Sequence, residues 1–136
     1  MKKIIRVGIV QQACSNDIKF NLEKLHRNIA SVAQAGAQLV VLQELHNTPY
    51  FCQTEDTNMF DLAEPIPGPS TGFYSELAAA YHIVLVTSLF ERRAPGCTTI
   101  QPSFLTPTEA SPGNTGKCTF PTIQPIMKSS ISLPVT

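Results

Sequence analysis

No apolar run in this 136-residue chain approaches the length a membrane-spanning helix needs, about 20 residues. No Cys-x-x-Cys pair occurs either. Cys14, Cys52, Cys97 and Cys118 are widely scattered, which excludes a zinc ribbon or a dithiol redox motif and reads as free thiols of a reducing compartment. His26, His46 and His82 lack metal-ligand spacing, so no metal site is expected. No G-x-G-x-x-G or Walker-type pattern follows the first apolar segment, which weighs against a dinucleotide or phosphate binder. Net charge is absent as well: ten basic residues balance ten acidic ones. Nothing electrostatic therefore favours nucleic acid or an anionic membrane. Lys2, Lys3 and Arg6 lead directly into a strand and read as a solvated terminus. They mimic the start of a signal peptide. Gln11 and Gln12 cut the apolar stretch short, however, and no small-residue cleavage site follows, so a cytosolic (cytoplasmic) protein is expected.

What is present first is an alternation of strand-like and helix-like segments. Residues 4–10 form a β-branched run suited to a strand buried on both faces. Ser15, Asn16 and Asp17 are cap candidates for an amphipathic helix carrying Leu22, Leu25, Ile29, Val32 and Ala33 on one face, with Gly36 near its end. Residues 39–42 read as a second strand. The stretch 45–70 has no clear period and ends in Pro65, Pro67, Gly68 and Pro69, a stiff loop. Ser70 or Thr71 can cap a second helix with Phe73, Leu77, Ala78 and Tyr81, and residues 83–90 form a third strand. The order strand, helix, strand, loop, helix, strand implies parallel strands joined by right-handed crossovers, an α/β fold.

At Gly96–Cys97 the character changes. Nearly half of residues 97–136 are Ser, Thr or Pro, and Glu109, Lys117 and Lys128 are the only charges. The chain divides accordingly into a domain at 1–96 and a disordered, unstructured tail at 97–136, whose six prolines, Pro102, Pro107 and Pro112 among them, interrupt regular elements.

Ligands in open α/β sheets sit at the carboxyl ends of strands, and Glu44 occupies such an end just before the longest loop. Partial desolvation there would raise its pKa and suit it to general-base work; a capping or ion-paired surface Glu is the alternative. Cys52 reads as a buried structural thiol before it reads as a nucleophile, because nothing nearby in the sequence activates it. His26 falls on an exposed helix face. His46, Tyr50, Phe51 and Cys52 are candidates for a pocket wall, with loop packing an equal reading for the aromatic residues.

The segments V-G-I-V-Q-Q, L-V-V-L-Q-E-L, P-Y-F-C-Q, A-E-P-I-P-G-P-S-T and S-L-F-E-R-R together resemble the nitrilase (carbon–nitrogen hydrolase) superfamily, and within it the N-carbamoylputrescine amidases. The resemblance covers nearly all of residues 1–96. It implies the N-terminal part of an α-β-β-α four-layer sandwich, with one sheet face lacking its partner layer. It also implies a Glu–Lys–Cys triad whose Glu falls on Glu44, a small carbamoyl or amide substrate, no metal or organic cofactor, and a homo-oligomer for intact members. The expected reaction is hydrolysis of N-carbamoylputrescine to putrescine, ammonia and CO2 in polyamine biosynthesis. The family's lysine segment, of the form K-Y-R-K-x-H, and its later cysteine are missing, so these residues alone are expected to be inactive. Two other classes compete: a non-catalytic fragment that binds intact amidase subunits, and an unrelated flavodoxin-like or Rossmann-like binding domain.

Codon overlap suggests an origin for the tail. In the frame made of each codon's last base and the next codon's first two, 114–119 permits K-Y-R-K-M-H. The Met127 and Lys128 codons force a Glu where P-A-Y-Y-E-K is expected. The tail therefore reads as the same gene out of frame, and Lys117 is not the triad lysine.

Overall fold

The computed structural model describes residues 4–53 and 56–107. Strand β1 (Val7–Val10) leads to helix α1 (Ile18–Gln34) and strand β2 (Leu39–Leu42). A 3-10 turn (Thr57–Leu62) precedes helix α2 (Pro69–Tyr81), and strands β3 (Val84–Ala94) and β4 (Cys97–Leu105) follow. The four strands form one sheet in sequence order. β1, β2 and β3 are parallel, and β4 is antiparallel to β3. When strand order advances in one direction, right-handed crossovers place both helices on the same face. The core lies on that face: Leu25 and Ile29 of α1 and Tyr74, Leu77 and Ala78 of α2 pack with Val10, Val40, Leu42, Leu85, Leu89 and Leu105. Each large side chain buried there contributes roughly 1.5–3 kcal/mol.

Helix α1 begins where the carboxylate of Asp17 accepts the Phe20 N–H at 3.0 Å, replacing one of the missing intrahelical partners. It ends at Ala35, and Gly36 follows at φ 94°, a backbone that side chains resist. Helix α2 is capped two residues before Ser70 and three before Thr71. Gly68 is the cap residue and Pro69 opens the helix, where proline's missing N–H has no helical partner to lose. The Thr71 hydroxyl accepts from Gly68 N–H and donates to Gly68 O. Glu64 adds a carboxylate at this positive helix end, accepting from the Ser70 N–H at 2.9 Å and from the Ser70 hydroxyl.

The strand at 4–10 is shorter than expected and is buried on one face only. Gly8 and Val10 are covered, whereas Ile9 is 76% exposed. The helices cover a single face, so alternate residues project from the other. Two apolar rows cross that open face in register, Val7–Leu39–Val84 and Ile9–Val41–Val86–Phe104. A face of this kind demands a covering layer. The chain is therefore expected to self-associate as its concentration rises, and Ile9→Lys with Phe104→Lys should suppress this while leaving urea stability within about 0.5 kcal/mol, since both sites are exposed. Sedimentation velocity reads the association. A wild type that stays monomeric, or a double variant that associates equally, would contradict the expectation.

Regular structure also continues past Gly96, which corrects the expectation that order ends there. The chain turns at Pro95–Gly96, with Gly96 at φ 75°, and residues 97–105 return along β3 from Cys97 opposite Ala94 to Leu105 opposite Leu85. Thr98, Thr99 and Ile100 are β-branched and favour the strand. Pro102, which faces Ser88, is tolerated because β4 is an edge strand. The tail beyond residue 107 lies outside the described residues. β3 outruns β2, and its free edge is met by Glu64: Glu64 N–H donates to Phe90 O and Arg92 N–H to Glu64 O at 3.0 and 2.8 Å.

Candidate active site

Glu44 stands two residues beyond β2, in a turn at the carboxyl end of the parallel strands, where the sequence placed it. Its side chain is exposed rather than partly desolvated, because no described element covers that end of the sheet. The turn itself is held rigidly. Gln43 Oε1 accepts the Gln12 backbone N–H at 2.6 Å. The Gln12 carboxamide donates to Asn21 O at 3.1 Å and His46 O at 3.4 Å, and its oxygen accepts from Asn28. The Cys14 thiol also donates to His46 O at 3.1 Å. Asn21, fully buried, donates to Asn47 O and Ser15 O and accepts from the Ser15 N–H. These bonds tie the loops after β1 and β2 to the first turn of α1. They also hold Leu45, buried directly beside Glu44, at φ 50°, a conformation that costs a bulky side chain about 1–3 kcal/mol.

His46 lines none of the described cavities. It is fully buried, its ring stands edge-on to Tyr74 at 5.0 Å, and its Nδ1 lies 3.0 Å from the Tyr74 hydroxyl. Burial pushes the imidazole pKa down to about 4 and pushes the Tyr74 phenol up. The imidazole is therefore neutral at pH 7, and its Nε2 has no hydrogen-bond partner among the described residues. His46 anchors the turn on α2 from within the core.

Tyr50 and Phe51 both line a cavity of about 410 Å³. The Phe51 ring also packs against Phe90 at 5.0 Å. Cys52 is a free thiol but exposed, which corrects its reading as buried, because no described element covers the loop at 50–53. It is not among the residues lining this cavity. Tyr50, Cys52 and Glu44 nevertheless lie close together: the negative charge of a Cys52 thiolate, then that of Glu44, raises the Tyr50 pKa. His26 sits on an exposed helix face as expected, bonded to the Tyr81 hydroxyl at 3.0 Å. Among the described residues no group of three His, Cys, Asp or Glu side chains could hold a metal ion, and no helix is long and apolar enough to cross a membrane.

The residues that sequence reasoning missed are the amides Gln12, Asn21 and Gln43, together with Tyr74. Spacing held a signal for one of them. Asn21 is four residues before Leu25 and eight before Ile29, on the same buried stripe of α1.

A mixed α/β sheet with a carboxylate at the carboxyl end of its parallel strands is an arrangement that hosts many functions, so it does not by itself name one. The family follows from comparison. The carbon–nitrogen hydrolase family profile matches residues 6–118, and the chain belongs to that family, whose relatives form the nitrilase superfamily. A citrullinase of Francisella tularensis is 37% identical over 94 residues, 68% of this chain and 33% of that protein. An N-carbamoylputrescine amidase of Solanum lycopersicum is 32% identical over 65% of this chain and 30% of its own length. A crystal structure of a carbon–nitrogen hydrolase from Helicobacter pylori superimposes with a TM-score of 0.69 at 33% identity, over 74% of this chain and 35% of that one. The chain thus spans about a third of the length of the relatives it matches. Family membership sets aside the flavodoxin-like and Rossmann-like alternatives.

Proposed function

We propose that these residues are the first part of an amidase that hydrolyses N-carbamoylputrescine, or a closely similar ureide, with Glu44 as the general base. The observation that carries the proposal is the rigidly braced turn that presents Glu44 at the carboxyl end of β2, in a chain similar to amidases of that name. In the Glu–Lys–Cys scheme implied by the resemblance, Glu44 takes the thiol proton as the sulfur attacks the carbamoyl carbon. Its conjugate acid then protonates the departing nitrogen. Glu44 finally activates the water that releases the acyl group from sulfur, while the lysine stabilises the tetrahedral oxyanion. Neither partner has a counterpart in these 136 residues, so the chain is read as inactive by itself.

Out-of-frame reading of the segment after Gly96 accounts for the missing lysine motif and for the Ser, Thr and Pro content together. Sequencing the coding DNA across codons 94–98 tests the frame. If the overlapping frame fails to encode the family's lysine segment, that part of the proposal is wrong. A chain with the frame restored should release ammonia from N-carbamoylputrescine; activity on other amides only would replace the substrate, and no amidase activity would overturn the assignment. The open apolar face supports a second reading, a non-catalytic fragment that associates with intact amidase subunits. Co-purification with an intact relative would distinguish it.

A further inference from the structure

Glu44 is exposed, so packing against its side chain does not fix where the carboxylate sits. Its reach is set by the backbone of the turn. Leu45, the next residue, is held there at φ 50°. For a bulky side chain such a conformation persists only where surrounding contacts over-determine it. Gln12 meets the turn on both sides of Glu44 and Leu45. Its backbone N–H donates to Gln43 Oε1 at 2.6 Å, and its carboxamide donates to His46 O at 3.4 Å. The carboxamide is itself fixed on α1, donating to Asn21 O and accepting from Asn28 Nδ2, both at 3.1 Å. Both of its donors are therefore in use. Gln12 is only 8% exposed, so water competes little for these bonds. By contrast, the Cys14 thiol grips this turn at residue 46 and the Asn21 side chain at residue 47.

We propose that Gln12 is a positioning residue for Glu44: it fixes the backbone on both sides of the carboxylate and so holds it within reach of the proton it takes. The kinetic consequence rests on the general-base reading of Glu44 above, whereas the grip on the turn stands on geometry alone. A base must lie within hydrogen-bond reach of its proton, and a misplacement of about 1 Å can cost about 10²-fold in rate. A group that acts only through the base changes the chemical step, so its loss falls on kcat rather than on KM.

Gln12→Met keeps the approximate size of the side chain and removes both donors and the acceptor. NMR on the 136-residue chain reads the turn directly, because positive φ brings the Leu45 amide and α protons together and gives a strong intraresidue NOE. That NOE is expected to weaken in Gln12→Met, with the chemical shifts of the strands unchanged. In the frame-restored chain Gln12→Met should lower kcat about 10- to 100-fold and change KM by less than about twofold. Gln12→Met combined with Glu44→Gln should be no slower than Glu44→Gln alone, because nothing is left to position; a merely structural role would slow both backgrounds equally. Gln43→Met, at a half-buried site, removes the 2.6 Å bond from the other side and carries the same readouts if Gln12→Met does not fold. An unchanged Leu45 NOE, an unchanged kcat, or additive losses in the double variant would each overturn the proposal. A frame-restored wild type without amidase activity would overturn the general-base reading instead, and the Leu45 NOE would then decide whether Gln12 holds the turn.

Discussion

These 136 residues are expected to release no ammonia from N-carbamoylputrescine above the blank. The expectation follows from what each member of the proposed triad contributes. The sulfur forms the covalent intermediate, and residues that act as such a unit are not additive: loss of the nucleophile alone lowers turnover by about 10⁶-fold in the best-studied triad hydrolase. The lysine's share is stabilisation of charge in the transition state, often the largest single contribution. Glu44 is exposed in a solvated turn, and the nucleophilic cysteine whose proton it would take in the proposed scheme is missing. A frame-restored chain is expected to turn over the ureide, and its Glu44→Gln variant to lose about 10²–10⁴ in kcat, the usual contribution of a positioned base. Coupled ammonia detection on the three proteins reads both effects. Turnover by the 136-residue chain would refute the division of roles, and a frame-restored Glu44→Gln variant with full kcat would remove Glu44 from the chemistry.

The second large effect concerns stability and pH. His46 is neutral in the fold with a pKa of about 4, against 6.5 for the free side chain, because burial penalises the imidazolium. Between those values the unfolded chain binds a proton that the folded chain does not, so unfolding becomes easier as pH falls through that window. The contribution is fully present above pH 6.5 and is lost progressively down to about pH 4, in all about 3 kcal/mol. Below that the folded state protonates as well and the dependence levels off. Urea unfolding followed by circular dichroism at pH 7, 6, 5 and 4 measures the slope. His46→Gln can still meet the Tyr74 hydroxyl and does not titrate, so its stability should fall much less over the same window. Identical slopes for the two proteins would show that His46 is not the titrating group. The result bears on the site because His46 anchors the turn that carries Glu44: its backbone oxygen accepts from both Gln12 and Cys14.

Much of this arrangement was legible before any coordinates. The helix at 18–34 announced itself through Leu25 and Ile29 at helical spacing behind an Asp cap, and the parallel order of the first three strands followed from chain connectivity and handedness. Glu44 was legible by position, at the carboxyl end of a strand before a long loop. The strand after Gly96 was not. Its Ser, Thr and Pro content argues against regular structure, and what overrides that preference is a non-local partner, the long edge of β3. A β-propensity describes how a residue fits a pleated surface, and that surface is supplied from elsewhere in the chain.

The same division holds for the site. Local sequence determined the first three strands and the two helices, the cap of α1, and that a carboxylate follows β2, because caps, turns and periodicity are interactions between near neighbours. Only the tertiary structure decided that Glu44 and Cys52 are exposed, that His46 is a core anchor, and that Gln12 and Asn21 brace the turn. Those outcomes depend on which surfaces are covered by segments about 10 to 50 residues away, and burial and hydrogen-bond satisfaction are properties of that assembled packing.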